Sequence, residues 1–354
     1  MSQQLADKRI DVKSLSPSEL ERLVVEWGEP AYRARQMMEW MYRRGVHQFS
    51  EMTNLPLSLR ERLAQEAFVS RVYPKLHQQS ADGTRKFLFE LADGVTVEAV
   101  LIPEGDRLTA CISSQAGCGI GCSFCATALG GLIRNLTAGE IIDQLVRLQQ
   151  EAGKRISNVV LMGMGEPLAN YRAVLRAVRT MIHPQGLGIG QRHITISTSG
   201  VVPGIRRLAA ENLQVVLAVS LHAPTDELRD QLVPLNRKYP IDILLEACRE
   251  YIAQTGRRVT FEYVLIRNVN DSIDMAQKLV ERLESMLCHV NLIPLNPVAE
   301  TGFERPDMEQ VRAFAEAIRQ AGIPVTVRKE KGSDIDAACG QLRRQSRKLV
   351  PVGE

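Results

Sequence analysis

Cys118, Cys122 and Cys125 stand together as CGIGCSFC, so three thiols with gaps of three and two residues share one short stretch of chain. A structural zinc site closes with four protein ligands, and a ferredoxin-type cluster takes four thiolates. Three thiolates therefore leave a metal one ligand short, and a cluster held this way keeps one iron open to a substrate or cofactor. Two plainer arrangements stay open: a zinc site completed by a distant cysteine or histidine, and core packing of Cys118 and Cys125. Further along, Gly163-Met164-Gly165-Glu166-Pro167 places a carboxylate in a turn, although glycine and proline also punctuate ordinary strand ends. Cys339 in GSDIDAACGQL and Cys111, seven residues before Cys118, are lone cysteines whose usual role is packing. Glu98, in GVTVEAVLI, is a single glutamate on an alternating stretch, a position that most often faces solvent. Cys248 and Cys288 lie in LEACREY and LCHVNLI, which read as helix and strand packing contexts.

The elements that must position these groups can be drawn from the rest of the chain. With 354 residues and 45% hydrophobic residues, it can bury a sizeable core, and one large domain with a small accessory one is expected. Seven cysteines, odd in number and unevenly spread, argue against a secreted disulfide framework. The N-terminal MSQQLADKRIDVKSL lacks the apolar centre of a signal peptide, and no apolar run approaches the roughly 18 residues of a membrane span. A soluble, cytoplasmic protein without a membrane partner is the expectation. A net charge of +3 says little about nucleic acid, because binding depends on local clusters.

Ser16-Pro17-Ser18-Glu19 has the form of a helix start, with a serine cap, a proline at the first position and a glutamate able to close a capping box. Pro30 opens a second helix, expected to carry Tyr32, Met37, Met41 and both nearby tryptophans and to end at Gly45, and residues 57–68 give a third. KFLFELADGVTVEAVLI alternates around Asp93-Gly94 and reads as a β-hairpin. Beyond it, strands are expected at 156–165, 192–198, 213–222, 257–266, 289–296 and 323–329. Helices at 138–151, 171–182, 241–255, 272–287 and 307–321 fit between them. Such alternation implies a parallel sheet or barrel whose chemistry gathers at the C-terminal strand ends. That rule brings Gly163 to Pro167, Ser197 to Gly200, Ser220-Leu221-His222 and Asn296-Pro297 to one face, together with the cysteine loop after RLTACIS. The expected layout is a helical accessory domain at 1–75, a hairpin linker at 76–103, a (β/α) core at 104–335 and a final segment at 336–354 with Cys339 and a basic tail.

The spacing Cys-x-x-x-Cys-x-x-Cys, with Phe124 before the last cysteine, resembles the loop of radical S-adenosylmethionine enzymes. There the methionyl amine and carboxylate of the cofactor complete the open iron. In that light GMGEP looks like the segment that receives the cofactor's amino group, through Gly165 and Glu166. Ser197, Ser220, Leu221, His222 and Asn296 would meet its ribose, adenine edge or carboxylate, although each could equally be a strand-end hydrogen-bonding residue. Taken together, CISSQAGCGIGCSFCATALGG, GMGEPLAN, STSGVVP, SLHAP and DIDAACGQL resemble the RlmN-type adenine methyltransferases of bacterial large-subunit rRNA and tRNA, over nearly the whole chain.

The resemblance implies a partial (β/α)6 barrel with an N-terminal helical domain, a 4Fe-4S cluster on Cys118, Cys122 and Cys125, and two S-adenosylmethionine molecules per turnover. Cys339 takes the role of the residue that receives a methyl group, Cys111 that of the thiol that releases the product through a transient disulfide, and Glu98 that of the proton acceptor. The implied substrates are an adenosine in the peptidyl transferase centre of 23S rRNA and the adenosine 3′ of the anticodon in tRNA, methylated at carbon 2. The implied partners include an external electron donor such as flavodoxin, with the chain a monomer. Two rivals stand beside this: the antibiotic-resistance relative that works at adenine carbon 8, and a non-catalytic RNA-binding protein with a structural zinc or cluster. Arg33, Arg35, Arg43 and Arg44, the pair Arg237-Lys238, and Arg343, Arg344, Arg347 and Lys348 are the candidate phosphate contacts, or ordinary solvated faces.

Overall fold

The computed structural model describes residues 9–342 and 350–351. The N-terminal region begins with β1 (Ile10–Asp11) and one 3-10 turn over Val12–Ser14. Helix α1 (Pro17–Glu26) starts on the expected capping box, in which Ser16 accepts from the Glu19 amide and Glu19 accepts from the Ser16 amide. The chain breaks at Gly28, whose φ of +84° favours glycine, and continues as α2 (Tyr32–Met38), which widens into a π-helical turn over Glu39–Arg43. Trp40 lies in that turn, but Trp27 does not share the helix. It caps α1, because Gly28 and Pro30 separate the two elements. Helix α3 (Leu57–Glu66) ends two residues earlier than expected, where β2 (Ala67–Phe68) pairs in parallel with β1. Val12, Leu20, Val24, Met37, Met38, Met41, Leu59 and Leu63 are buried between these helices.

A strand that the sequence patterning did not suggest, β3 (Tyr73–Gln79), follows. It pairs with β4 (Arg85–Glu90), which pairs with β5 (Thr96–Glu104) around the Asp93-Gly94 turn, where Gly94 has φ +80°. Strand β5 then pairs with β6 (Arg107–Cys111). A separate two-stranded ribbon, β7 (Gln115–Gly117) and β8 (Leu132–Asn135), brackets the short helix α4 (Ala126–Leu129).

From β6 onward the pairing is parallel. Helix α5 (Ala138–Ala152) leads to β9 (Asn158–Leu161), α6 (Tyr171–Ile182) to β10 (Ile194–Thr198), and α7 (Val202–Ala209) to β11 (Val216–Ser220). Helices α8 (Asp226–Leu232) and α9 (Ile241–Thr255) then lead to β12 (Val259–Leu265), α10 (Ile273–Leu283) to β13 (Cys288–Pro294), and α11 (Met308–Gln320) to β14 (Val325–Val327). Apart from the β1–β2 and β7–β8 pairs, the described strands form one eleven-stranded sheet in the order β14-β13-β12-β11-β10-β9-β6-β5-β4-β3-β15, the last being Val350–Pro351. Its β6-to-β14 part is the expected partial barrel. Helix α7 escaped the sequence patterning because Pro203 and Gly204 read as a loop, yet proline is harmless in a first turn. Among the described residues no helix is long and apolar enough to cross a membrane.

The N-terminal helices are fastened to the barrel by a buried ion pair. Lys13 binds Asp143 on α5, both side chains being fully buried, and Asp143 also accepts from the Val72 amide at 2.7 Å. Burial opposes ionisation of Asp143, but the charges of Lys13 and Arg147 outweigh it and hold the carboxyl below its ordinary value. Beside the pair, a Cβ on Gly139 would come 2.0 Å from Ser70 Oγ, so the contact requires glycine. Removing one partner strands a buried charge. Asp143→Asn is expected to lower unfolding stability by about 3–5 kcal/mol in a denaturant titration, with Lys13→Met/Asp143→Leu recovering much of the loss.

Candidate active site

The cysteine loop leaves β7 through Gly117, whose φ is +79°, and a Cβ there would lie 1.9 Å from the Gly131 carbonyl. The Cys118 amide donates to that same carbonyl at 3.0 Å, and the Ser123 amide donates to Leu232 O at 3.1 Å. Phe124, Leu232, Val233, Val264, Ile293 and Leu295 make an apolar bed against which Cys122 and Cys125 pack. That burial pushes the Cys118 thiol up to about 11 and raises Cys122 and Cys125 as well. A metal bound here must therefore displace protons from all three sulfurs.

Cys118, Cys122 and Cys125 line one cavity with about 970 Å³ of atom-free space, part of it open to solvent. Around the same cavity stand Gly165, Glu166, Ser197, Ser220, His222 and Asn296, each delivered by the end of a core strand as expected. Leu221 does not join them. It is fully buried in the main core, and its backbone carbonyl accepts from Arg229 Nε at 3.0 Å. Gly165, at φ +102°, lies so close to Gln115 that a Cβ would come 2.5 Å from the Gln115 Cβ. Glu166 accepts from the Ser199 amide at 2.6 Å and the Leu168 amide at 3.0 Å, and burial raises its carboxyl in spite of these bonds. His222 accepts at Nδ1 from the Val264 amide at 3.1 Å and meets Phe124 edge to face at 4.9 Å. Burial, with help from Arg229, lowers the His222 ring to about 3, so it stays neutral.

Cys339 comes to this cavity from the far end of the chain. The Ala126 amide, just after the third cysteine, donates to Gly340 O at 2.7 Å, and Thr127 Oγ1 donates to Leu342 O at 2.6 Å. Asn296 Nδ2 donates to Cys339 O at 3.2 Å. A second, adjoining cavity shares Cys339, Cys125 and Arg328 with the first and is lined also by Cys111, Ile102, Arg305, Lys329 and Lys331. Cys339 thus belongs to both walls. Cys111 and Cys339 are free thiols, and burial, reinforced by Cys339, pushes the Cys111 thiol up to about 12. Glu98 lines neither cavity. It is 1% exposed on β5, its carbonyl accepts from Ser113 Oγ at 2.6 Å, and its carboxylate lies 3.6 Å from Lys86 Nζ.

These placements can be set beside known proteins. Residues 112–280 match the Radical SAM superfamily, and residues 10–69 match the ribosomal RNA large subunit methyltransferase N-terminal domain. A protein of Symbiobacterium thermophilum described as a probable dual-specificity RNA methyltransferase RlmN is 52% identical over 96% of this chain and 93% of its own. A Geobacillus kaustophilus protein of the same description is 49% identical over 95% of this chain and 93% of its own. The crystal structure of a radical SAM methyltransferase from Sphaerobacter thermophilus superposes with a TM-score of 0.89 at 51% identity, covering 95% of this chain and all of that one. The chain belongs to the RlmN family. Membership of the radical SAM superfamily implies a 4Fe-4S cluster and S-adenosylmethionine, and the donor set fits: three thiolates in an apolar bed, one short of closing a cluster.

Several residues at the site were not legible in the sequence. Arg328 follows β14, lines both cavities and faces Cys339, Glu262 and Cys111, and the charge of Cys339 leads in raising its guanidinium. Glu262 lines the first cavity and accepts from Asn291 Nδ2 at 2.7 Å. Arg229 is buried and donates to Ser199 O, Ser220 O and Leu221 O, so it gathers two strand ends. Arg328 stands directly after β14, Glu262 within β12 and Arg229 within α8, so no common local signal marks them. Of the candidate phosphate contacts, Arg43 donates to Pro184 O, Arg44 lies over the Trp40 ring and Arg33 over Tyr32, while Arg35, Arg237 and Lys238 are exposed. Arg343, Arg344, Arg347 and Lys348 lie outside the described residues.

The fit of Gly117 against Gly131 fixes where the cysteine loop leaves the sheet. Gly117→Ala is expected to cut bound iron per chain after anaerobic reconstitution by about tenfold, with an unchanged far-ultraviolet circular dichroism spectrum, because the added methyl overlaps backbone while the fold's core is elsewhere.

Proposed function

We propose that this chain methylates carbon 2 of an adenosine in the peptidyl transferase centre of 23S rRNA and of the adenosine 3′ of the anticodon in tRNA, with Cys339 carrying the methyl group on its sulfur. The observation that carries this is the position of Cys339, in the wall common to a cavity lined by the three cluster cysteines and a cavity lined by Cys111. One sulfur so placed is within reach of the cavity that holds the cluster cysteines and of the cavity that holds Cys111.

In this scheme Cys118, Cys122 and Cys125 hold the 4Fe-4S cluster. Gly165, Glu166, Ser197, Ser220, His222 and Asn296 hold S-adenosylmethionine, with the Leu221 backbone supporting the strand end. Held there, the cluster would supply one electron to cleave S-adenosylmethionine, and the adenosyl fragment so formed would take hydrogen from the Cys339 methyl group. That use consumes a second molecule, because the Cys339 thiolate has already attacked the methyl carbon of a first, forming the methyl thioether as S-adenosylhomocysteine leaves. Arg328, half-buried in the lining of both cavities, opposes the rise that burial imposes on the Cys111 thiol.

The Cys339 methylene becomes bonded to adenine carbon 2. The resulting adduct radical gives up its unpaired electron to the oxidised form of the external one-electron carrier as Glu98 accepts the proton that carbon 2 carried, which leaves a closed-shell thioether. The Cys111 thiolate then attacks Cys339 Sγ. A disulfide forms as the sulfur–methylene bond breaks, and the electron pair left on the methylene takes up a proton to give the methyl group. Lys329, Lys331 and Arg305 in the lining of the second cavity, the last two paired with Asp82 and Glu330, suit contact with an RNA backbone, and the N-terminal helices at 1–75 suit recognition of its shape. An external one-electron donor such as flavodoxin, a monomeric state and a cytoplasmic setting complete the scheme.

Incubation with unmodified 23S rRNA fragments and tRNA, followed by nucleoside mass spectrometry, is expected to yield 2-methyladenosine from both; 8-methyladenosine would replace the carbon-2 assignment. Cys111→Ala is expected to leave Cys339 methylation intact and to accumulate a covalent protein–RNA species on a denaturing gel. Free methylated RNA released at the parent rate would remove Cys111 from the release step.

A further inference from the structure

The strand register around Glu98 brings together residues far apart in the sequence. Lys86 pairs with Val100, Leu88 with Glu98, and Val100 with Cys111 across β4, β5 and β6. Side chains on paired positions of a sheet point the same way and alternate along each strand. Lys86, Glu98 and Cys111 therefore share one face of the sheet. The segment that ends in Cys339 lies over that face. The Gly332 amide donates to Asp82 Oδ2 at 3.2 Å, the Ala81 amide donates to Asp334 Oδ2 at 3.3 Å, and a Cβ on Gly332 would come 2.8 Å from Thr84 Cγ2. The β3–β4 turn thus clasps the root of the Cys339 segment.

Lys86 links the clasp to the base. Its side chain is 6% exposed, its Nζ lies 3.6 Å from Glu98 Oε1, and it donates to Asp336 O at 3.3 Å, three residues before Cys339. An ammonium so deeply buried gains its place only by compensation from such partners. We propose that Lys86 is a positioning residue for product release, holding the Glu98 carboxylate and the Cys339 segment in register so that proton removal and disulfide formation meet at one adduct. The proposal rests on Glu98 as the proton acceptor. A cation there steadies the buried carboxylate while also donating to a carbonyl, and arginine can do both through its fork.

The test uses the full-length, cluster-loaded enzyme with an unmodified tRNA transcript, and compares Lys86→Met, Lys86→Arg and Glu98→Gln. Four quantities are followed: Cys339 methylation by intact-protein mass spectrometry, 5′-deoxyadenosine formed, protein–RNA adduct on denaturing gels, and free 2-methyladenosine. Lys86→Met is expected to methylate Cys339 and form 5′-deoxyadenosine like the parent, while adduct accumulates and release slows by about 10²-fold, the scale of a misplaced catalytic group. Lys86→Arg is expected to restore release to within about tenfold of the parent, because the charge and a donor return. Accumulation in Glu98→Gln but not in Lys86→Met overturns the role of Lys86. Loss of Cys339 methylation in both lysine variants also overturns it, since Lys86 would then only hold the segment in place. Release at the parent rate by Glu98→Gln removes the base assignment itself, and the role of Lys86 with it.

Discussion

The Ala126 amide and the Gly340 carbonyl, 2.7 Å apart, join two regions separated by more than half the chain, and the arrangement of the sulfurs depends on that bond. One partner directly follows the third cluster cysteine, and the other directly follows Cys339. Neither segment belongs to the regular sheet, so their relative position is not dictated by strand pairing. It is set by this bond, by Thr127 Oγ1 on Leu342 O, and by Asn296 on the Cys339 carbonyl. Backbone groups buried at such a junction must find partners or carry a desolvation cost, which is why the two segments satisfy one another.

The antiparallel strands β3 to β6 gain a purpose from this. Read as a hairpin between two domains they look like a connection, yet β5 pairs with β6, and β6 is also the first parallel strand of the barrel. The sheet therefore runs unbroken from the barrel to the β3–β4 turn that grips Gly332 and Asp334. Cys111 lies on the one strand that belongs to both patterns, and Glu98 on its antiparallel neighbour. A continuous pleated surface fixes the spacing of these groups more tightly than a loop can, while Cys339 is brought over it on an irregular segment containing Gly332 and Asp336 at positive φ.

The sequence made local features legible and left most convergence hidden. The Ser16 capping box, the Asp93-Gly94 turn and the strand-end motifs are each written in a few neighbouring residues, and the structure places them as their chemistry suggests. Trp27 was misplaced because helix periodicity carries across a break unless the glycine is weighed, and α7 was missed because its proline and glycine look like turn residues. Arg328, Lys86 and Arg229 left no signal of that kind. A lone cation in a strand or short helix reads as a solvated face, and only the three-dimensional pairing shows Lys86 against Glu98 and Arg229 against three strand-end carbonyls.

Those buried cations answer an electrostatic demand made by the sulfurs. Burial raises the thiols of Cys111, Cys118, Cys122 and Cys125, yet metal ligation and nucleophilic attack both require thiolates. Positive charge in the same low-dielectric region offsets part of that cost. Arg229 opposes the rise at Cys122, and Arg328 opposes it at Cys111. Arginine suits both places better than lysine. Burial lowers Arg229 only to about 10, which leaves it charged at neutral pH, whereas a lysine starting lower and desolvated equally would be nearer to losing its proton. Its fork also reaches several carbonyls at once, so a single side chain can hold the strand ends in place while it supplies charge to the cluster loop. The two guanidiniums stand at different sulfurs: Arg229 acts on Cys122 in the cysteine loop, and Arg328 shares the lining of the second cavity with Cys111 and Cys339.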